Sequence, residues 1–544
     1  MNANEARAQN RLAQAGRANT VRPLQLFIVH NHYRPGGVRR VIELALPHLV
    51  AALKPRVTRV VLLGGEAPDA LWEAGVRRAL AGTSLVCAIE PALGYVSEQR
   101  AQPAVIERRI HAHLGRWLGE AAAAGGGVVW AHNQGLGRNL RLTAALTRGC
   151  AERGLPLVFH QHDWWFDNRW ARWPEMRRTG FRTLAAVART IFPEQRNVRH
   201  ATINRADASL LQRHLGAQAG WLPNLAEPSA QPSAAGVNRA RRWLRDRLGD
   251  DAPVWLVPCR LLRRKNLAEA LLLTRWLRPE AWLVTTGGAS SADEKAHAAA
   301  LAAAARQHGW RVRWSIMEGG EAGKPAVGEL LAASEAVLLP SLQEGFGLPA
   351  IEAAAAGRPL IVRRLPNIAP DLAEFGFRFP QAYDDVRVAP TLFDWRAEVR
   401  RQERRWRVWR AQLPRACRAA ADLPPLLAAG EETAPVAFSR LTLLAQREVL
   451  AHDVAQSWAA CAPLNPWLVE WRAAAARGEL NVSRWPRRAE RWLGGDAYAR
   501  RFARLVAADE AHPPAAAGVA LADEFIRAKL AGGNQYPLLW TPAP

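Results

Sequence analysis

At 544 residues the chain exceeds what one hydrophobic core can hold, and its 49% apolar and 22% charged content is that of a globular protein with two or three domains. No stretch reaches the ~20 uninterrupted apolar residues of a membrane span. The five cysteines (Cys87, Cys150, Cys259, Cys417 and Cys461) are scattered without a Cys-x-x-Cys pair, which argues against a zinc site or a disulfide framework. The formal charge of +24 rests almost wholly on arginine and would attract anions in general; no basic block is interleaved with aromatic residues, so no nucleic acid is expected as a partner.

Residues 1–20 read as a disordered tail without the apolar segment of a secretory signal, and a cytoplasmic location is the expectation. A first strand is expected over Leu24–Asn31, followed by a turn through Gly36 and Gly37 into a helix reaching Leu53. Further strands are expected at Val57–Leu63, Val128–His132, Leu155–His162, Ala201–Asn204 and Gly220–Asn224. Residues 228–236 are a Pro/Ser/Ala linker. A second series follows at Val254–Arg260, Trp282–Thr286, Arg311–Ile316, Ala336–Pro340 and Leu360–Arg364. Apolar strands alternating with helices predict parallel sheets covered on both faces. The expected fold class is therefore α/β, with one Rossmann-like domain over 21–227 and a second over 237–390. Residues 391–544 are expected to be a crossover helix and a helical extension. Trp395, Val399, Trp406, Trp409 and Leu413 fall at helical spacing in an Arg-rich segment. That helix is read as packing back across both domains, with peripheral contact at the inner membrane as the alternative.

The most informative segment is Ser341-Leu-Gln-Glu344-Gly-Phe-Gly-Leu-Pro349-Ala-Ile-Glu352. It predicts a buried strand, a glycine turn at Gly345 and Gly347, and a helix begun at Pro349 and stopped at Gly357. A glycine turn running into a helix N-terminus is an anion site, flanked here by Glu344 and Glu352. Upstream lies Arg260-Leu-Leu-Arg-Arg-Lys265 at another strand end. The chain has five lysines in all (Lys54, Lys265, Lys295, Lys324 and Lys529), so Lys265 stands out as a selected ammonium where the helix dipole disfavours one.

On these residues, and on their order with Gly36-Gly37, His162-Asp163 and Pro223-Asn224, the chain resembles the retaining GT-B glycosyltransferases of family 4 over about 24–385. The resemblance implies two Rossmann-like domains facing a cleft and transfer of a hexose from a nucleotide-sugar donor to a hydroxyl acceptor. It implies that Arg260 and Lys265 hold the diphosphate, Glu344 positions the donor hexose, and the amides of Phe346, Gly347 and Leu348 touch sugar and phosphate. Glu352 would take the ribose, Gly36 and Gly37 would admit phosphate and acceptor, and His162 would lie by the anomeric carbon. No cofactor and no metal are implied, the nucleotide-diphosphate sugar being a co-substrate. Leu365–Asp371 replaces the family's Gly-Gly-x-x-Glu loop, and the C-terminal third has no counterpart.

Trp164 and Trp165 are read either as an acceptor platform or as core. The acceptor itself is a glycan, a lipid carrier or a phosphorylated small molecule, an anionic one being favoured by the charge. His160 and His162, two apart on a strand, raise a metal-dependent hydrolase as the alternative, although no third-ligand pattern is evident. A catalytically silent GT-B binding module is the other alternative.

Overall fold

The computed structural model describes residues 24–540 apart from 55, 229–231, 290, 321–322, 431, 433 and 509–512. The tail expected over 1–20 and the centre of the expected linker lie outside the described residues.

The first domain carries seven strands: β1 (Leu24–Val29), β2 (Val57–Gly64), β3 (Ser84–Ile89), β4 (Gly127–His132), β5 (Leu157–Gln161), β6 (Val198–Thr202) and β7 (Ala219–Trp221). All pairings are parallel in the order β3-β2-β1-β4-β5-β6-β7. The central strands β1, β4 and β5 are apolar on both faces because helices cover both, including α1 (Gly37–Ala52) and α2 (Arg205–Leu215). β3 was not expected; its half-exposed edge position gives SLVCAI a broken apolar pattern. β6 begins three residues earlier than expected, because Arg199 interrupts the apolar run yet is buried, donating to the Leu505 carbonyl at 3.1 Å.

The second domain repeats the plan with β8 (Val254–Val257), β9 (Trp282–Thr285), β10 (Val312–Arg313), β11 (Ala336–Leu339), β12 (Leu360–Arg363) and β13 (Gln381–Tyr383). They are parallel in the order β10-β9-β8-β11-β12-β13. Its helices include α3 (Leu267–Leu277), α4 (Leu348–Ala355) and α5 (Ala369–Phe375). Both sheets thus reverse strand order at their first strand, the point where an open α/β sheet leaves a crevice at its carboxyl edge. The fold is GT-B: two Rossmann-like domains with a helical C-terminal part.

That C-terminal part belongs to both domains. Helix α6 (Trp395–Gln412) places Trp395 in the second-domain core and Trp409 in a first-domain cluster with Trp165 and Trp170. Residues 443–476 cover α3 through Val449, Leu450, Cys461 and Leu468. The chain then returns: α7 (Gly495–Val506) inserts Tyr498 and Phe502 against Trp130 and Ile42, and α8 (Ala517–Leu530) buries Phe525 against Trp164 and Phe192. At the hinge, Asp371 of α5 accepts from the backbone N–H of Arg205 at 2.8 Å, and Trp221 stacks on Phe375 at 5.6 Å.

Candidate active site

The second-domain half is built on the loop after β11. Gly347 adopts φ +85° and caps α4, with Pro349 in the first turn. Glu344 is 8% exposed. One of its oxygens pairs with the Lys265 ammonium, and the other accepts from Arg264 at 3.0 Å. Burial would raise this carboxyl, but Lys265 and then Arg264 outweigh it and hold it at about 2. Glu344 is therefore a fixed anion between two cations.

Lys265 is aimed by the layer beneath it. Asn266 takes a left-handed turn at φ +50° and donates through its amide to Glu269 at 2.9 Å. Glu269 is fully buried, pairs with Arg363 and accepts from the Tyr383 hydroxyl at 2.5 Å. From the other side, the Asn367 amide donates to the Glu344 carbonyl at 2.8 Å.

The first-domain half presents histidines. The β4–β5 register pairs His132 with His160, and the β1–β4 register pairs Val29 with Ala131, so His30, His132 and His160 fall in line across three strands. His32 and His162 follow two residues later. His132 Nδ1 lies 3.1 Å from His162 Nε2. Burial, then the neighbouring histidines, holds His30 and His162 at about 3, so these rings are neutral near pH 7. The His162 N–H donates to Asn133 Oδ1 at 2.7 Å, and Asn133 itself turns at φ +57°.

The two halves share one crevice. A Cβ added at Gly345 would lie 2.8 Å from the His162 carbonyl, so glycine there permits the first domain's approach. Glu352 opens onto the crevice; surrounding protein raises its carboxyl, and Arg40 of α1 across the crevice lowers it. The amides of Phe346, Gly347 and Leu348 make no hydrogen bond among the described residues. At Gly37 an added Cβ would meet nothing within 4 Å, and at Gly36 only the Arg34 carbonyl at 4.0 Å, so the protein itself does not require glycine at either position.

One expectation needs correction. Trp164 and Trp165 are each 1% exposed, and the Trp164 indole donates to the buried carboxylate of Asp207 at 2.8 Å. Rings packed against Phe166, Phe192 and Phe525 cannot stack on a sugar, so they are core. Arg260 is exposed beside Gly287, while it is Arg264 that joins Lys265 at Glu344.

Sequence reasoning also missed His132, which supplies the third imidazole beside His160 and His162 from a different strand. It missed Lys529 of α8, whose ammonium lies 2.7 Å from Asp167 and fixes the segment after His162 from behind. The scarcity of lysine that singled out Lys265 was the available signal for Lys529 as well. On the first domain a cavity of about 300 Å³ opens between Asn31, His32, Arg34, Glu66, Tyr95 and Glu98.

Residues 245–377 match the family model of the group 1 glycosyl transferases. The match takes in the second domain from the helix before β8 through α5, including Lys265, Glu344 and Glu352. The mannosylglucosyl-3-phosphoglycerate synthase of Petrotoga mobilis (strain DSM 10674 / SJ95) is 24% identical over 355 residues, 63% of this chain; the chain spans 65% of that curated relative's length. Among solved structures, a sucrose-phosphate synthase from Thermosynechococcus elongatus aligns with 89% of this chain and 98% of its own at 13% identity and a TM-score of 0.48. Anabaena HepE, solved in complex with UDP-glucose, aligns with 84% of this chain and 98% of its own at 13% identity and a TM-score of 0.44.

Proposed function

We propose that this chain is a glycosyltransferase of family 4 that moves a hexosyl group from a nucleoside-diphosphate sugar to a hydroxyl acceptor with retention at the anomeric carbon. The observation that carries the reading is the cluster of Lys265, Arg264 and Glu344, set beside amides that are unpaired among the described residues, on a loop whose Gly345 abuts the His162 carbonyl of the opposite domain. Two fixed cations and three free N–H groups stabilise the charge that develops on a departing diphosphate, and no reorganisation is needed at the moment of transfer. Glu344, held ionised, accepts hydrogen bonds from donor-sugar hydroxyls, and Glu352 at the crevice accepts them from the ribose. Arg260 at the rim supplies a third cation.

In the same-face route the departing phosphate oxygen takes the acceptor's proton, so the protein's task is positioning. The positive charge at the diphosphate comes from side chains, and we propose that no divalent metal acts there. The acceptor enters from the first-domain side, where Arg100 and Arg109 at the cavity favour a phosphorylated acceptor, Arg34 being bridged to Glu66 and Glu98. The Petrotoga relative's name, that of a phosphoglycerate glycoside synthase, supports this class. A hydrolytic centre on the histidines is the weaker reading, because His132 and His160 are fully buried and leave a substrate no access to them.

The test is a thermal-shift panel of UDP, GDP and ADP, followed by release of the matching nucleoside diphosphate from its sugar. One nucleotide should raise the melting temperature, since only the native state binds it. Turnover should be unchanged by added Mg2+. Stabilisation by none of the three would overturn the reading, whereas binding without any turnover would leave a silent GT-B module.

A further inference from the structure

The histidines of β4 and β5 do more than line the cleft. One ring nitrogen from each of His132, His160 and His162 lies within 4.8 Å of the other two. Strand geometry enforces the arrangement: His160 and His162 share a face because they are two residues apart, and the parallel register sets His132 beside His160. The contact between His132 Nδ1 and His162 Nε2 is 3.1 Å. Nitrogens bound tetrahedrally at ~2.0–2.1 Å from a zinc ion stand about 3.3 Å apart, so the spacing is close to that of a ligand pair.

One further observation bears on the ligand atoms. His160 Nε2 donates to the Leu222 carbonyl at 3.2 Å, and a carbonyl in that position is the usual outer partner of a metal-bound imidazole; its Nδ1 meets the Tyr498 hydroxyl at 3.4 Å, a long contact that an ion at Nδ1 would replace.

We propose that His132, His160 and His162 hold one divalent transition-metal ion of the imidazole-preferring class, zinc foremost, behind the first-domain wall of the cleft. Three neutral nitrogens without a carboxylate suit zinc, cobalt or nickel and not magnesium or calcium. The ion ties the carboxyl ends of β4 and β5 together. It thereby fixes His162, whose carbonyl abuts the Gly345 loop of the second domain. This site is separate from the diphosphate grip, and its test does not depend on glycosyl transfer.

Untagged full-length protein is stripped with chelator, dialysed and titrated with Co2+ while the visible absorption of the bound ion is followed; zinc content after loading is measured by mass spectrometry. We expect one equivalent of Co2+ with the intense bands of a tetrahedral nitrogen site, displaced by one equivalent of Zn2+, and a higher melting temperature for the zinc form. His132→Asn and His162→Asn should each weaken binding about tenfold or more. Should His132→Asn fail to fold, His162→Asn at the edge of the cluster carries the test. His111→Ala, on an exposed helix face, should bind as wild type does. Absence of stoichiometric uptake overturns the proposal, as does uptake unchanged in the two cluster variants or lost in His111→Ala, which would indicate an adventitious ion only.

Discussion

Replacing Lys265 by methionine keeps most of the side chain's bulk and removes its charge. The Glu344 carboxyl, ordinarily at 4.5, is held at about 2 in the folded chain. A difference of that size corresponds to about 3 kcal/mol in favour of the ionised form. Lys265 contributes more of it than Arg264, which stays in place at 3.0 Å. Lys265→Met should therefore cost about 2 kcal/mol near neutral pH, below the ~3–5 kcal/mol of a buried charge left wholly unpaired. The sign with pH follows from the depressed value: the stabilisation is complete above about 4.5 and disappears as pH falls toward 2, so the gap between variant and wild type narrows in acid. Urea unfolding at neutral and acid pH measures this, alongside a coupled assay for nucleoside diphosphate release. Adding Glu344→Gln to Lys265→Met removes the stranded carboxylate and should restore stability without restoring transfer. If the double variant is no more stable than Lys265→Met, or if Lys265→Met transfers sugar at the wild-type rate, the charge-pair reasoning is wrong.

Gly345→Ala drives a Cβ against the His162 carbonyl, so kcat/KM should fall by about a hundredfold while nucleoside diphosphate binding to the second domain persists, as titration calorimetry would show. Asp371 is held at about 6, chiefly by burial, so ionising it costs stability as pH rises through 6. Asp371→Asn keeps an acceptor for the Arg205 N–H and should melt higher than wild type near pH 7, with the gain vanishing below about pH 4; an equal gain in acid would exclude this cause. Lys529→Met strands Asp167 and Asp207 behind the segment after His162, so both the melting temperature and kcat should drop, with limited proteolysis at 163–173 reporting the loosened loop.

Much of this architecture was legible because parallel strands covered on both faces leave unbroken apolar runs, as in Leu24–Val29 and Ala336–Leu339. What escaped was short or marginal: β3 at the sheet edge, and the three residues of β13. The site divides in the same way. Glu344 and Lys265 could be singled out by glycine spacing and by residue scarcity. Which arginine would join them depends on the short 3-10 turn Arg263–Lys265, whose rotation no linear spacing encodes. His132 lies 28 residues before His160 and meets it only through strand register. Trp164 and Trp165 have the composition of a sugar platform, but Phe525 of α8 packs on Trp164 from a distant part of the chain, and Trp165 is buried against Phe166, Trp170 and Trp173.

The return of α7 and α8 has a consequence for how the molecule is made. Tyr498, Phe502 and Phe525 fill space in the domain that begins at Leu24, so synthesis of the first sheet is finished long before its covering is available. During translation the second domain emerges while the first still exposes Trp130 and Trp164. The half that leaves the ribosome first is the half that matures last, and truncation near residue 490 should damage it more than the domain adjoining the cut.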